Sequence, residues 1–225
     1  LLQISEYCRN NNIKLHLDGA RLWEATVAYN KSLSEICSLF DSVYVSFYKG
    51  LGGMTGAMLL GNSSFISESR IWLRRFGGNI FTSLPYAVSS WAGLLRNVNT
   101  FQQKTDRLKH VVRILTELFQ QNIKDHQLIR FDPEIPQVSL IHVYIRDAPS
   151  SILLQIRDRV FSETSISCFT MLRSSDLINQ VNSEVIQQSY FEFNMGPLNL
   201  EIPDEIWLQG WGLFLKYLQE YISSK

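Results

Sequence analysis

Apolar positions in the first hundred residues change their period several times, and each change predicts a change of element. Leu1, Ile4 and Cys8 recur at helical spacing, which predicts a helix over 1–9 that Asn10-Asn11-Asn12 ends. Ile13 to Leu17 reads as a short strand, Asp18-Gly19-Ala20-Arg21 leaves its C-terminal end, and Leu22 to Tyr29 resumes a helical pattern. Leu33 to Leu39 predicts a short helix capped by Ser32. Ser42 to Phe47, rich in valine and aromatics, predicts a second strand, followed by the glycine-rich turn Tyr48-Lys49-Gly50-Leu51-Gly52-Gly53. Thr55 to Leu60 predicts a third strand, closed by Gly61-Asn62. Ser64 to Phe76 reads as a helix whose last turn carries Arg74 and Arg75, where cations suit the helix dipole. Gly77-Gly78-Asn79 breaks it, and long helices are predicted over 84–97 and 101–122.

This alternation of helix and strand predicts an α/β layer around a largely parallel sheet. The pattern changes after about residue 103. Strands are predicted at Val138 to Ile145, Ser165 to Leu172 and Tyr190 to Met195, and a helix at Ser150 to Phe161. An amphipathic helix over Asp204 to Tyr221 sets Ile206, Leu213 and Tyr217 on one side. The polar segment 173–189 reads as a loop with a helical part. The expectation is a first domain over 1–103 and a small α+β domain over 104–225.

Composition narrows the function classes. Hydrophobic residues make up 45% and charged residues 19% of the 225 residues, as in ordinary globular proteins. Lys+Arg and Asp+Glu balance at 21 each, so no global field calls for nucleic acid or a membrane surface. Cys8, Cys37 and Cys168 are widely spaced and suggest neither a zinc site nor a disulfide framework; reduced core thiols in a cytoplasmic protein are the expectation. No apolar run approaches the roughly 20 residues a bilayer crossing takes. The chain opens on Leu1-Leu2-Gln3-Ile4, within a helical pattern and without an initiating Met, so it reads as a fragment lacking an N-terminal portion.

Two places carry candidate chemistry. His16-Leu17-Asp18-Gly19-Ala20-Arg21 puts a carboxylate just past the end of a predicted strand, where open α/β sheets place their ligands. Ser46-Phe47-Tyr48-Lys49-Gly50-Leu51-Gly52-Gly53 puts a lysine past the end of another, before glycines that let backbone and ligand approach closely. Its aromatic and apolar neighbours favour the neutral amine, the form that makes Schiff bases. Alone, the lysine also reads as a solvated surface residue and the Asp-Gly pair as an ordinary turn. Together they match what pyridoxal 5'-phosphate requires: an amine for its aldehyde, and an acid that keeps the pyridine nitrogen protonated so that the ring takes up electrons.

At these residues the chain resembles the threonine aldolase / β-eliminating lyase family. His16-Leu17-Asp18-Gly19-Ala20-Arg21-Leu22 is similar to that family's HxDGAR segment, and Asp41-Ser42 through Lys49-Gly50-Leu51-Gly52 to its cofactor-lysine segment, at the family's spacing. The likeness runs on through Gly56 and Gly61-Asn62 to Arg74-Arg75-Phe76-Gly77-Gly78, covers roughly residues 1–100 and is faint afterwards. The resemblance implies a pyridoxal-phosphate enzyme of the aspartate-aminotransferase fold (fold type I), a homodimer or homotetramer acting on an amino acid. It implies that Lys49 holds the cofactor, that Asp18 meets the pyridine nitrogen, and that Arg21 lies near the cofactor's 3-oxygen and the substrate carboxylate. Arg suits a carboxylate because its planar fork binds two oxygens at once. His16 shares a strand face with Asp18 and reads as a cofactor neighbour or as a hydrogen-bonded core histidine. Ser46 reads as a phosphate contact or as a buried strand serine, and Arg74 as a phosphate contact, from the neighbouring subunit, or as a helix-dipole partner.

There are departures from the family pattern. Phe81 stands where an arginine is common, the strand Tyr190–Met195 carries no arginine for the substrate carboxylate, and Tyr48 replaces a small residue before the lysine. The cofactor half of the site is kept and the substrate half is altered. The leading expectation is cleavage of a β-hydroxy amino acid to glycine and an aldehyde. The alternatives are β-elimination on another amino acid, and a pyridoxal-phosphate-binding relative without turnover. The chain alone is expected to be inactive and prone to aggregate through exposed strand edges.

Overall fold

The computed structural model describes residues 1–123, 125, 128–178 and 185–224. The chain divides into two compact units, Leu1–Gln102 and Gln103–Lys225.

The first unit holds α1 (Leu2–Asn10), β1 (His16–Gly19), α2 (Leu22–Tyr29), α3 (Leu33–Cys37), β2 (Ser42–Ser46), β3 (Ala57–Gly61), α4 (Ser63–Arg75) and α5 (Leu84–Asn97). Its sheet has the order β1-β2-β3. β1 and β2 run parallel, with Asp18 beside Tyr44 and Gly19 beside Val45. β3 is antiparallel to β2, which corrects the expectation of a largely parallel sheet in this unit. The connection over residues 47–56 is shorter than the dozen or so residues a parallel crossover takes, so the chain turns straight back. Leu22, Ile36, Val43 and Val45 form a small core between α2, α3 and one face of the sheet. Ser32 caps α3 in a reciprocal arrangement with Glu35.

Of the apolar stripe predicted for α1, Cys8 is buried but Leu1 and Ile4 face outward, while Ser5 is buried and donates to the Leu39 carbonyl at 2.7 Å. β3 is exposed along its length, and so are Trp72, Phe76, Phe81 and Trp91 on and after α4 and on α5.

The second unit holds nearly all of α6 (Phe101–Asn122), then β4 (Ile129–Asp132), β5 (Leu140–Arg146), α7 (Ser150–Thr164), β6 (Arg173–Ile178), β7 (Val185–Asn194), α8 (Pro197–Leu200) and α9 (Asp204–Ser223). The antiparallel sheet has the order β4-β5-β7-β6. Along β5, Ile141, Val143 and Ile145 are buried against α6, α7 and α9, and the residues between them are half-buried. Trp211 is 1% exposed and touches Phe119, Phe191 and Phe214.

Three expectations for this unit are corrected. Ser165–Leu172 is not a strand: Phe169 packs on Phe191 and Phe214 from an irregular segment. Residues 173–178 and 185–189 are strand rather than loop, because β7 gives the polar run a backbone ladder to join; residues 179–184 lie outside the described residues. The buried residues of α9 are Trp207, Gly210, Trp211, Phe214, Leu215, Tyr217 and Leu218, so Tyr217 of the predicted side is buried while Ile206 is exposed, since the large aromatics take the core.

Candidate cofactor site

The C-terminal ends of β1 and β2 lie side by side because the strands are parallel, so the loops that leave them emerge at the same edge of the sheet. Asp18 is exposed on β1, with one carboxylate oxygen accepting from the Ala20 N–H at 3.1 Å. The other oxygen has no hydrogen bond among the described residues. His16, two positions back on the same face, places Nδ1 2.8 Å from the Ser42 hydroxyl.

Lys49 leaves the end of β2 on a turn held from several sides. The Gly52 N–H donates to the Lys49 carbonyl and the Gly53 N–H to the Phe47 carbonyl, each at 2.8 Å. Gly52 takes φ 72°, a left-handed conformation that suits glycine. From α5, Asn97 donates to the Leu51 carbonyl at 2.9 Å, the Ser89 hydroxyl accepts from the Met54 N–H, and Ser90 donates to the Thr55 carbonyl. Gly93 lets α5 approach: a Cβ there would sit 2.6 Å from the Leu51 carbonyl. The turn is braced by these bonds while its lysine is exposed. The ammonium lies 5.9 Å from the Tyr48 ring centre and has no hydrogen bond or ion pair among the described residues.

Arg21 stands just before α2 and pairs with Glu24 at 2.9 Å; Glu24 is 1% exposed and Arg21 31%. Ser46 is placed differently from a phosphate contact. It is fully buried, its hydroxyl donates to the Ala20 carbonyl at 2.5 Å, and its own carbonyl accepts from the Trp23 indole at 2.9 Å. Ser46 therefore clasps the loop after β1 to the end of β2. Arg74 stands exposed in the last turn of α4, without a hydrogen bond or ion pair among the described residues. The structure brings Asp18, Ser46 and Lys49 to the adjoining C-terminal ends of two strands, with Arg21 just before α2; His16 stands at the start of β1 and Arg74 on a separate helix.

Sequence reasoning did not single out Tyr44 or Glu24. Tyr44 is the cross-strand neighbour of Asp18, and its hydroxyl lies 3.1 Å from that of Tyr48. The hydrogen bond with Tyr48, burial, and the nearby charges of Tyr48 and Asp18 push its phenol up to about 12. Period-2 counting from Ser42 and Ser46 would have put Tyr44 on this face. Nothing in the sequence marks Glu24 as buried.

The donor set fits pyridoxal phosphate at one end. A fixed, exposed carboxylate for a ring nitrogen and an amine, unpaired among the described residues, for an aldehyde stand at one sheet edge, and Arg21 follows on the same loop for oxygens. At the phosphate end, Ser46 is fully buried and its hydroxyl is taken by the Ala20 carbonyl.

The sequence model of the family described as beta-eliminating lyase matches residues 1–143. A low-specificity L-threonine aldolase of Candida albicans is 49% identical over 78 residues, which is 35% of this chain and 21% of that protein. The solved structure of a candidate L-allo-threonine aldolase from Listeria monocytogenes is 34% identical with a TM-score of 0.77, covering 97% of this chain and 55% of the other. The structure of a candidate aromatic amino acid beta-eliminating lyase/threonine aldolase from an Exiguobacterium species is 30% identical with a TM-score of 0.80, covering 96% and 55%. The chain thus spans about half the length of the solved chains it matches.

Proposed function

The chain belongs to the beta-eliminating lyase family, and on that premise we propose that it forms part of a pyridoxal-phosphate-dependent lyase that cleaves a β-hydroxy amino acid to glycine and an aldehyde. One observation carries the reading: Asp18 and Lys49, the latter unpaired among the described residues, leave the C-terminal ends of adjacent parallel strands, the carboxylate fixed by a backbone N–H and the lysine by a braced turn. Bound pyridoxal phosphate would supply an aldehyde for the substrate's amine and a ring that takes up the electron pair released as Cα–Cβ breaks. Asp18 would hold a proton on the ring nitrogen, since a carboxylate beside that nitrogen favours its charged form. Lys49 would anchor the cofactor through its amine and yield that place to the substrate. Arg21, with a planar fork partly open to solvent, would hold the substrate carboxylate. His16 would flank the cofactor from deeper on the face of Asp18, and Arg74 would meet the phosphate, from a neighbouring subunit.

Assembly as a homodimer or homotetramer belongs to the same proposal. The exposed apolar side chains of α4, α5 and β3 support it, because apolar side chains left open to solvent are those a partner surface can cover. No helix among the described residues is long and apolar enough to cross a membrane.

A second reading, β-elimination, is favoured by the family's description and by the Exiguobacterium relative's name. The test uses the natural protein purified with pyridoxal phosphate. Its visible absorption band is expected to survive desalting and to vanish in Lys49→Ala. Acetaldehyde from threonine supports aldolysis, a keto acid from a β-substituted alanine supports elimination, and a folded parent with no band overturns both.

A further inference from the structure

Glu24 is a carboxylate in the interior of the first unit, 1% exposed, where carboxylates are rarely found unless paired. It lies in the first turn of α2, and its Oε1 accepts from Nη1 of Arg21 at 2.9 Å. The same oxygen abuts the residue after Lys49: a Cβ on Gly50 would stand 2.3 Å from Glu24 Oε1 and 2.9 Å from Cε1 of Phe101. The contact exists only because position 50 is glycine. One buried carboxylate is therefore wedged between the guanidinium of Arg21 and the backbone of the turn that presents Lys49.

We propose that Glu24 is a positioning residue that sets the Arg21 guanidinium in register with the Lys49–Gly50 turn, so that the groups for the substrate carboxylate and for the cofactor keep one fixed geometry. The inference rests on the cofactor and substrate roles proposed above for Lys49 and Arg21. An arginine has a long flexible stem, and its fork recognises a carboxylate only when its plane is fixed. Glu24 engages one arm of that fork, leaving the remaining N–H groups for a ligand, and Arg21 keeps enough exposure to be reached. Because Glu24 also packs against Gly50, a shift of either partner is passed to the other.

The test compares the natural protein with Glu24→Gln, which keeps the shape and removes the charge, and with Glu24→Asp, which keeps the charge and withdraws it by one methylene should the first variant fail to fold. The first readout needs no cofactor: labelling of Arg21 by phenylglyoxal in the cofactor-free protein, followed by peptide mass spectrometry, is expected to quicken several-fold. The second is the change in the pyridoxal-phosphate absorption band on titration with glycine, which carries a carboxylate, and with ethylamine, which does not. Half-saturation by glycine is expected to rise about tenfold, the scale of a misplaced binding group, with ethylamine unmoved within about twofold. The role is overturned if glycine binding and Arg21 labelling match the parent, or if glycine and ethylamine shift together, as a merely structural defect would make them. A parent that takes up no pyridoxal phosphate overturns the cofactor reading as well, whereas a parent that does, beside unaltered variants, overturns the role of Glu24 alone.

Discussion

The hydroxyls of Tyr44 and Tyr48 meet at 3.1 Å, tying the strand position beside Asp18 to the residue that precedes Lys49. Tyr44 is held neutral by that bond first, then by burial and by the charges of Tyr48 and Asp18, so it ionises only at about 12 instead of 10.0. A phenol whose folded value is raised stabilises the fold below its ordinary value of 10.0, and that contribution is lost as pH rises through about 12. In Tyr48→Phe, an ultraviolet titration should find Tyr44 ionising closer to 10.0. An unchanged tyrosine titration would show that the hydroxyl pair does not hold the proton.

Gly19 carries the chain past β2 at close quarters: a Cβ would stand 2.4 Å from the Tyr44 carbonyl oxygen, which belongs to backbone and cannot swing away. Gly19→Ala is expected to destabilise the protein by about 1–3 kcal/mol, the usual cost of overpacking. It should also loosen cofactor retention, because Asp18 is the adjacent residue. Urea denaturation that leaves the midpoint in place would refute the close approach.

In the second unit, Asp204 joins the start of α9 to α6 through His110 and Arg107, each at 2.6 Å. The hydrogen bonds from His110 and then Arg107 hold its carboxyl below the usual range. A carboxylate depressed in this way stabilises the fold above its unfolded value, and the contribution disappears as pH falls through the lowered one. Asp204→Asn should therefore cost stability at neutral pH and little in strong acid. Denaturation midpoints that drop equally at both pH values would argue against the charge being responsible.

Trp211 fills the centre of the second core, 1% exposed against Phe119, Phe191 and Phe214. Trp211→Ala is expected to cost about 3–5 kcal/mol, the range for emptying a large aromatic site. A loss below about 1 kcal/mol, read by calorimetry or urea, would mean that the cavity collapses or that the ring is not central.

Much of the fold was legible in the order of the residues because local signals govern it. The cap at Ser32, the valines of β2 and the glycine breaks at 77–78 act within a few positions, and the helices over 22–29, 84–97 and 101–122 arise from such signals. Asp18 and Lys49 were also visible, since each stands next to a strand end marked by glycine. Tertiary structure alone decided the rest. Ser165–Leu172 has strand-like residues but no ladder to join, while the polar run at 173–178 is strand because β7 offers one. The outward face of Ile206 and the burial of Ser46 and Glu24 depend on neighbours distant in the chain: Phe193 beside Trp207, the Ala20 carbonyl above Ser46, and Gly50 against Glu24. Period and propensity report which residues suit an interior, but a buried carboxylate is stable only where a partner arrives to meet it, and no local pattern records that arrival.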